Sequence, residues 1–457
     1  MFESVKLSIV IQVFLFLLIP VLLIIKEKGL TLYKPIILLT LITFIEYAFP
    51  AIYMIFVPQE FLLYYNFTLP SLSKALSFTI LTYLFLILGY YLCDFNKFAK
   101  NLNDKLLAKL PNINSFSLKI ENTKLVIFVF YLLGWIARII LLKSGIYFQV
   151  EGNVIVKINP EFYVYANNLS LMSNFPLISL CLLFIEWLKN GKKGYLLTSS
   201  LLTIIEFIYA FPSGSKEKVL MPLFLILFLY SIKKKLPLLP IAVLSVFSIL
   251  FIFPFVTIYR NVFRTSNLIS DLSFASTLYF NMFSNIKETL NMIFVMVFGN
   301  RLNYILVLAV IIENTPKIWD FMKGYTYSLF FIGMIPRILW TGKPLLAAFG
   351  NKFGYDYGFI SAFDYATSVA MLWIGEMFIN FGWFGILCGF FYGILYRFVY
   401  NYFFKYKKLT NISLVLYVFA LYYMVRGDEF AAQTLGVIKI CFVTFIVIYP
   451  FLKKVKT

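Results

Sequence analysis

Apolar stretches long enough to cross a bilayer recur from the first residues of this chain to the last, and no other feature constrains its fold as tightly. A helix needs about 20 apolar residues to span a hydrocarbon core of about 30 Å. The pattern gives spans near 5–25, 35–57, 72–93, 124–142, 168–188, 195–212, 217–232, 236–258, 369–395, 410–425 and 430–450. With 61% of 457 residues apolar and a mean hydropathy of +0.86, an ordinary soluble surface is excluded. The expected fold class is an all-α polytopic membrane protein with about 11 transmembrane helices, give or take about two. Residues 1–258 form an N-terminal bundle of about eight spans. Residues 259–368 make one long segment with re-entrant or interfacial helices, and 369–457 return to transmembrane helices.

The formal charge of +19 invites a nucleic-acid reading, but the cations sort by loop. Lys26, Lys28 and Lys34 share one short connection, and six lysines from Lys97 to Lys124 lie in the next connection but one. Lys189, Lys192 and Lys193, then Lys233 to Lys235, then Arg397, Lys405, Lys407 and Lys408, and the tail lysines 453, 454 and 456 continue the alternation. The positive-inside rule makes that face cytoplasmic, which leaves the long segment outside and the C-terminus inside the cytoplasmic membrane. Orientation and contact with membrane lipid account for these residues, so no nucleic-acid partner is expected. The first apolar run has no small-residue cleavage site and is long enough to span, which argues against a cleaved signal peptide.

Cys93, Cys181, Cys388 and Cys441 sit in or at the ends of spans without metal-type spacing, so neither disulfides nor zinc are expected. Histidine is absent, and proton transfer falls to carboxylates, Lys, Tyr or water. Neither cofactor nor metal is expected.

Several remaining cations cluster where orientation does not require them. Lys216 and Lys218 occupy the turn Ser213-Gly-Ser-Lys-Glu-Lys218, and Arg260 and Arg264 follow the eighth span. Arg301 interrupts the apolar run Leu290 to Ile312, Arg337 and Lys343 frame a Pro-Arg-Ile-Leu-Trp-Thr-Gly-Lys-Pro run, and Arg426 tips the last hairpin beside Asp428 and Glu429. A cation at membrane depth costs about 2.5 to 3.5 kcal/mol on insertion scales, which calls for an anion. Guanidinium forks suit phosphate, and lipid-linked diphosphates present it at that depth. Snorkelling is the competing account for Lys216, Lys218, Arg264 and Lys343, and a local ion pair for Arg426. Lys439, in mid-span, must face the bundle interior.

The runs Phe298-Gly-Asn-Arg-Leu-Asn303, Ile335-Pro-Arg-Ile-Leu-Trp-Thr-Gly-Lys-Pro344 and Ile374-Gly-Glu-Met-Phe-Ile-Asn-Phe-Gly-Trp-Phe-Gly385, with the upstream turn Phe211-Pro-Ser-Gly-Ser-Lys216, resemble the C-terminal half of O-antigen polymerases of the Wzy type. The likeness is clearest over 211–400. It implies a metal-independent glycosyltransferase of the GT-C type acting on the outer face of the membrane. The donor and acceptor would be polyprenyl-diphosphate-linked oligosaccharides, and a flippase and a chain-length regulator would be working partners. The leaving diphosphate needs cations, for which Arg301 and Arg337 are the catalytic candidates, with Lys216, Arg260, Arg264, Lys343, Arg426 and Asp428 binding substrate. Glu376 is the candidate base or, alternatively, a strut for an arginine; Asp428, Glu429, Asp356 and Asp364 are the other carboxylates within reach of that role. Aromatic residues such as Tyr325, Trp340 and Tyr357 suit sugar stacking, although membrane-interface belts share that composition. A lipid-linked oligosaccharide flippase and an O-antigen ligase are the rival readings.

Overall fold

The computed structural model describes residues 2–56, 66–119, 122–144, 147, 168–236, 238–262, 268–297, 303–335, 339–340, 342–343, 346–361, 363, 367–404 and 409–454. Of residues 2, 238, 240, 260–262, 268–271 and 346–348 only the backbone is described. Arg264, Arg301, Arg337 and Asp364 lie outside the described residues.

The described residues are predominantly helical, the architecture of an all-α polytopic membrane protein with one two-stranded ribbon. Among the described residues nine stretches are long and apolar enough to cross a membrane: Glu3–Lys26, Pro35–Phe56, Leu69–Phe95, Thr123–Lys143, Asn168–Asn190, Lys193–Ser213, Ile241–Tyr259, Leu372–Phe404 and Phe430–Phe451. The other two windows read from the sequence hold the helices Lys216–Lys233 and Asn411–Val425. Outward faces carry large apolar side chains, as on the first helix, where Leu7, Phe14 and Leu22 are exposed, which is how a helix meets lipid. The helices start where the sequence supplies caps. Thr68 and Ser71 form a capping box at the head of Leu69–Phe95, Thr410 and Ser413 do so for Asn411–Val425, and Ser215 caps Lys216–Lys233.

Two compact units emerge, Met1–Val126 with Tyr304–Thr457, and Ile127–Asn303. The long segment 259–368 is divided between them. In the first unit, Leu69–Phe95 crosses Ile386–Phe404 with backbones in contact: a Cβ on Gly389 would sit 2.4 Å from the Thr82 carbonyl oxygen, and one on Gly393 2.1 Å from that of Leu86. This Gly389-x-x-x-Gly393 pair is the small-residue device by which membrane helices approach closely.

The stretch Leu372–Phe404 is not one rod, which corrects the single span read over 369–395. The Trp373 and Tyr392 rings, 19 positions apart, are 5.6 Å from one another, whereas a straight helix would separate them by about 28 Å. The chain reverses at Gly382–Gly385, where Gly382 adopts φ +55°, and a Cβ on Gly385 would meet the Met377 carbonyl oxygen at 2.4 Å. Leu372–Phe381 is therefore a re-entrant half-helix folded against Ile386–Phe404. Helix Asn411–Val425 has 15 residues, about 22 Å at 1.5 Å per residue, and does not reach across the full hydrocarbon core. Its tip at 426–429 and the start of the half-helix lie side by side, with the Trp373 amide donating to the Gly427 carbonyl at 3.0 Å.

The Lys-rich connections gather at the opposite end of this unit. Strand Phe116–Leu118 pairs antiparallel with Leu452–Lys454, Phe116 opposite Lys454. Asn114 donates to the Phe403 carbonyl (3.0 Å), the Tyr402 hydroxyl to that of Pro111 (2.8 Å), and the Tyr417 hydroxyl to that of Tyr33.

The second unit holds Phe175–Asn190, Lys193–Ala210, Lys216–Lys233, Phe253–Val262 and Leu268–Met282. The last two run antiparallel, with Phe255 on Tyr279 (5.3 Å) and Phe251 on Phe283 (6.5 Å). The chain thus returns to the level of Phe251 by Phe283, early in the long segment.

Candidate functional site

In the first unit two helix N-termini meet the short helix tip, and each is held by a carboxylate from the other helix's side. Glu376, fully buried on the half-helix, accepts the Phe430 amide at 2.7 Å through Oε2. Glu429, just ahead of Phe430–Ile448, accepts the amides of Met371 (2.7 Å) and Leu372 (3.3 Å) at the head of the half-helix. The positive ends of both helix dipoles therefore face acidic side chains, the stabilising arrangement. Oε1 of Glu376 makes no hydrogen bond among the described residues, although the Thr326 hydroxyl lies close by.

One turn further along, Asn380 ties the half-helix to the long segment. Its Nδ2 donates to Thr326 Oγ1 and to the Glu376 carbonyl, both at 2.7 Å, and its Oδ1 accepts the Gly324 amide at 2.9 Å. Gly375 has Ile311 Cδ1 2.9 Å from where a Cβ would lie. The Gly-Glu-x-x-x-Asn-x-Gly spacing thus encodes close packing, a helix cap, a loop anchor and a reversal, in that order.

Arg426 lies at the tip with Nε 2.9 Å from Asp428 Oδ2, over the rings of Tyr422 and Tyr423. Glu46 lies within electrostatic reach of Asp428, in a five-residue π-helical segment, Phe44–Ala48; such bulges are frequent at functional sites. Lys343 is buried and donates to the carbonyls of Gly333 (3.1 Å) and Ile335 (2.9 Å), so its ammonium closes the C-terminal end of Tyr325–Met334. Asp356 accepts the Trp319 indole N–H at 2.7 Å.

In the second unit, the turn after Ala210 presents Lys216 and Lys218 at the head of Lys216–Lys233. Lys216 Nζ lies 5.0 Å from the Phe253 ring centre and Lys218 Nζ 5.9 Å from that of Tyr147. Phe211 packs on Phe255 (5.2 Å) and Tyr259 (5.8 Å), and the Tyr259 hydroxyl donates to the Pro212 carbonyl at 3.4 Å. The turn and the helix that carries Arg260 are thereby brought together.

Three charged residues escaped the sequence reading. Arg138, 1% exposed, donates to both carboxylate oxygens of Glu206 at 2.8 and 2.6 Å and through Nε to the Ser173 carbonyl at 2.9 Å. The Tyr209 ring centre is 3.9 Å from its Cζ. Opposite charges in two separate spans were the available signal for this pair, and a lone carboxylate in mid-span was the signal for Glu46. Among the described residues no group of three or more Cys, Asp or Glu is arranged to hold a metal.

No curated protein and no solved structure matches the chain. A family model described as a domain of unknown function (DUF8712) matches residues 118–457. That stretch takes in the whole second unit, the re-entrant hairpin and the carboxylate-capped helix ends, and the chain belongs to this family.

Proposed function

We propose that the protein is a membrane glycosyltransferase of the O-antigen polymerase kind, joining polyprenyl-diphosphate-linked oligosaccharide repeat units on the outer face of the cytoplasmic membrane, with its C-terminus inside. The observation that carries the reading is the cationic helix end of the second unit. Lys216 and Lys218 flank the N-terminus of an 18-residue helix, and the Arg260-bearing helix packs against the same turn. A helix N-terminus with basic side chains around it favours a phosphate-bearing ligand. The resemblance over 211–400 supplies the reaction class and the GT-C-type expectation.

In this reading the acceptor hydroxyl attacks the anomeric carbon of the donor, the bond to the diphosphate breaks, and cations stabilise the leaving charge. Arg301 and Arg337 remain the candidates for that contact. Lys343 is engaged by helix carbonyls and is assigned a structural role. Glu376 is enclosed and caps a helix, so it acts as a positioning residue, and Asp428, partly exposed and held by Arg426, takes the acceptor's proton. A flippase reading draws on one feature, a half-helix whose N-terminus meets another helix's N-terminus, the kind of place where transporters bind anions. Here both ends already face Glu376 and Glu429, which leaves them poorly suited to a substrate anion.

Purified protein supplied with a single lipid-linked repeat unit tests the proposal. A ladder of longer lipid-linked glycans is expected. Translocation without a ladder would identify a flippase, and transfer only to a different lipid acceptor a ligase.

A further inference from the structure

At the end of the first unit where the Lys-rich connections gather lies an open cleft of about 700 Å³. Its walls are the ends of Leu69–Phe95 and Ile386–Phe404 and one side of the helix Lys97–Lys109. We propose that this cleft binds the phosphate headgroup of an anionic membrane lipid.

The charge balance inside it favours an anion. Arg397 holds Asp94 at 2.8 Å, which neutralises one wall, and its guanidinium lies against the rings of Tyr90 and Tyr400. Lys97 and Lys100, three apart on the helix and both exposed, then face a single further carboxylate, Asp104. The volume falls within the range of small-ligand sites, and two lysines beside a fixed guanidinium provide the charge-assisted donors that phosphate oxygens accept.

The same helix argues that the phosphate belongs to a lipid. On its other side Phe98, Leu102 and Leu106 recur every four residues and are 76%, 48% and 46% exposed. Phe95, at the cleft's edge, is 76% exposed. A short helix with an apolar stripe flanked by lysines lies in the plane of the bilayer interface. That seating places the cleft at headgroup depth, where lipid phosphate is far more concentrated than any soluble ester. The inference is independent of the glycosyl-transfer proposal, because it concerns the opposite end of the unit and requires no turnover.

The test is lipid binding by the full-length purified protein, measured by native mass spectrometry with phosphatidylglycerol and phosphatidylcholine in parallel. The wild-type protein should retain phosphatidylglycerol preferentially. K97Q/K100Q, two exposed substitutions that leave the fold intact, should weaken it by roughly 25-fold, at about fivefold per lysine near a charged surface, while phosphatidylcholine retention stays unchanged. Equal retention of the two lipids by the wild-type protein, or an unaltered preference in K97Q/K100Q, would overturn the proposal. So would displacement of phosphatidylglycerol by an equal concentration of inorganic pyrophosphate, since the cleft would then be a site for soluble phosphates.

Discussion

Replacing either member of the Arg138–Glu206 pair should destabilise the second unit more than any other single substitution named here. Both side chains are almost wholly enclosed, 1% and 3% exposed, and the guanidinium makes three hydrogen bonds, two to Glu206 and one to the Ser173 carbonyl. Arg138→Met leaves a buried carboxylate without a partner, and Glu206→Leu leaves a buried guanidinium in the same position. Breaking such a pair costs about 3 to 5 kcal/mol, mostly the penalty of the stranded charge and not the worth of the contact itself. Replacing both at once strands no charge. The double variant loses the aromatic stacking on Tyr209 and one donor to Ser173, about 1 to 3 kcal/mol together.

Reversible unfolding of the purified protein, followed in a double-mutant cycle, measures these differences. The double variant should be more stable than either single variant by about 1 kcal/mol or more. Arg138→Lys keeps the charge but loses the fork, so it should fall between Arg138→Met and the wild type. Single variants within about 1 kcal/mol of the wild type, or a double variant whose loss is the sum of the two, would refute the argument that stranded charge dominates.

Three other outcomes test the assigned face, the arginine candidates and the role of Glu376. In a background lacking the four native cysteines, probes at Ser215, Asn267 and Asn351 should label from outside and probes at Asn103, Asn190 and Asn401 should not; labelling of position 351 only from the cytoplasm would reverse the assigned face. Arg301→Lys and Arg337→Lys should each lower ladder formation by about two to three orders of magnitude while the protein still accumulates, and full activity in both would leave them as interfacial cations. Glu376→Gln keeps an acceptor for the Phe430 amide and should preserve stability, donor affinity and ladder formation, whereas Glu376→Leu removes the cap and should cost about 1 to 3 kcal/mol of stability; a Gln variant that is stable and binds donor but makes no ladder would restore Glu376 as the base.

Much of the architecture was legible because hydropathy and loop charge report lipid contact directly. The alternation that assigned Lys26 to Lys34, the 97–124 connection and the tail to one face agrees with their spatial gathering, for example strand Phe116–Leu118 on Leu452–Lys454. Direction was not legible. A uniform apolar stretch from Leu372 to Phe404 has the same hydropathy whether it runs straight or doubles back, and only the glycines at 382 and 385 mark the reversal. Partners were not legible either. The pattern of charges locates Lys343 but does not distinguish an ammonium aimed at phosphate from one closing the end of Tyr325–Met334.

The same limit explains how Glu376 changed character. A carboxylate inside a span signals either a functional group or a partner, and the sequence offered only arginines as partners. Once the half-helix is recognised, a third candidate exists, the unsatisfied amides at the head of a helix that begins inside the membrane. Glu376 and Glu429 each satisfy amides at the other helix's head, so the half-helix Leu372–Phe381 and the longer helix Phe430–Ile448 stabilise one another where they meet. The carboxylates at 376 and 429, which look catalytic in the sequence, are each engaged by the backbone amides they cap. What stays partly exposed beside them, Asp428 with Arg426, is where we place chemistry at this tip.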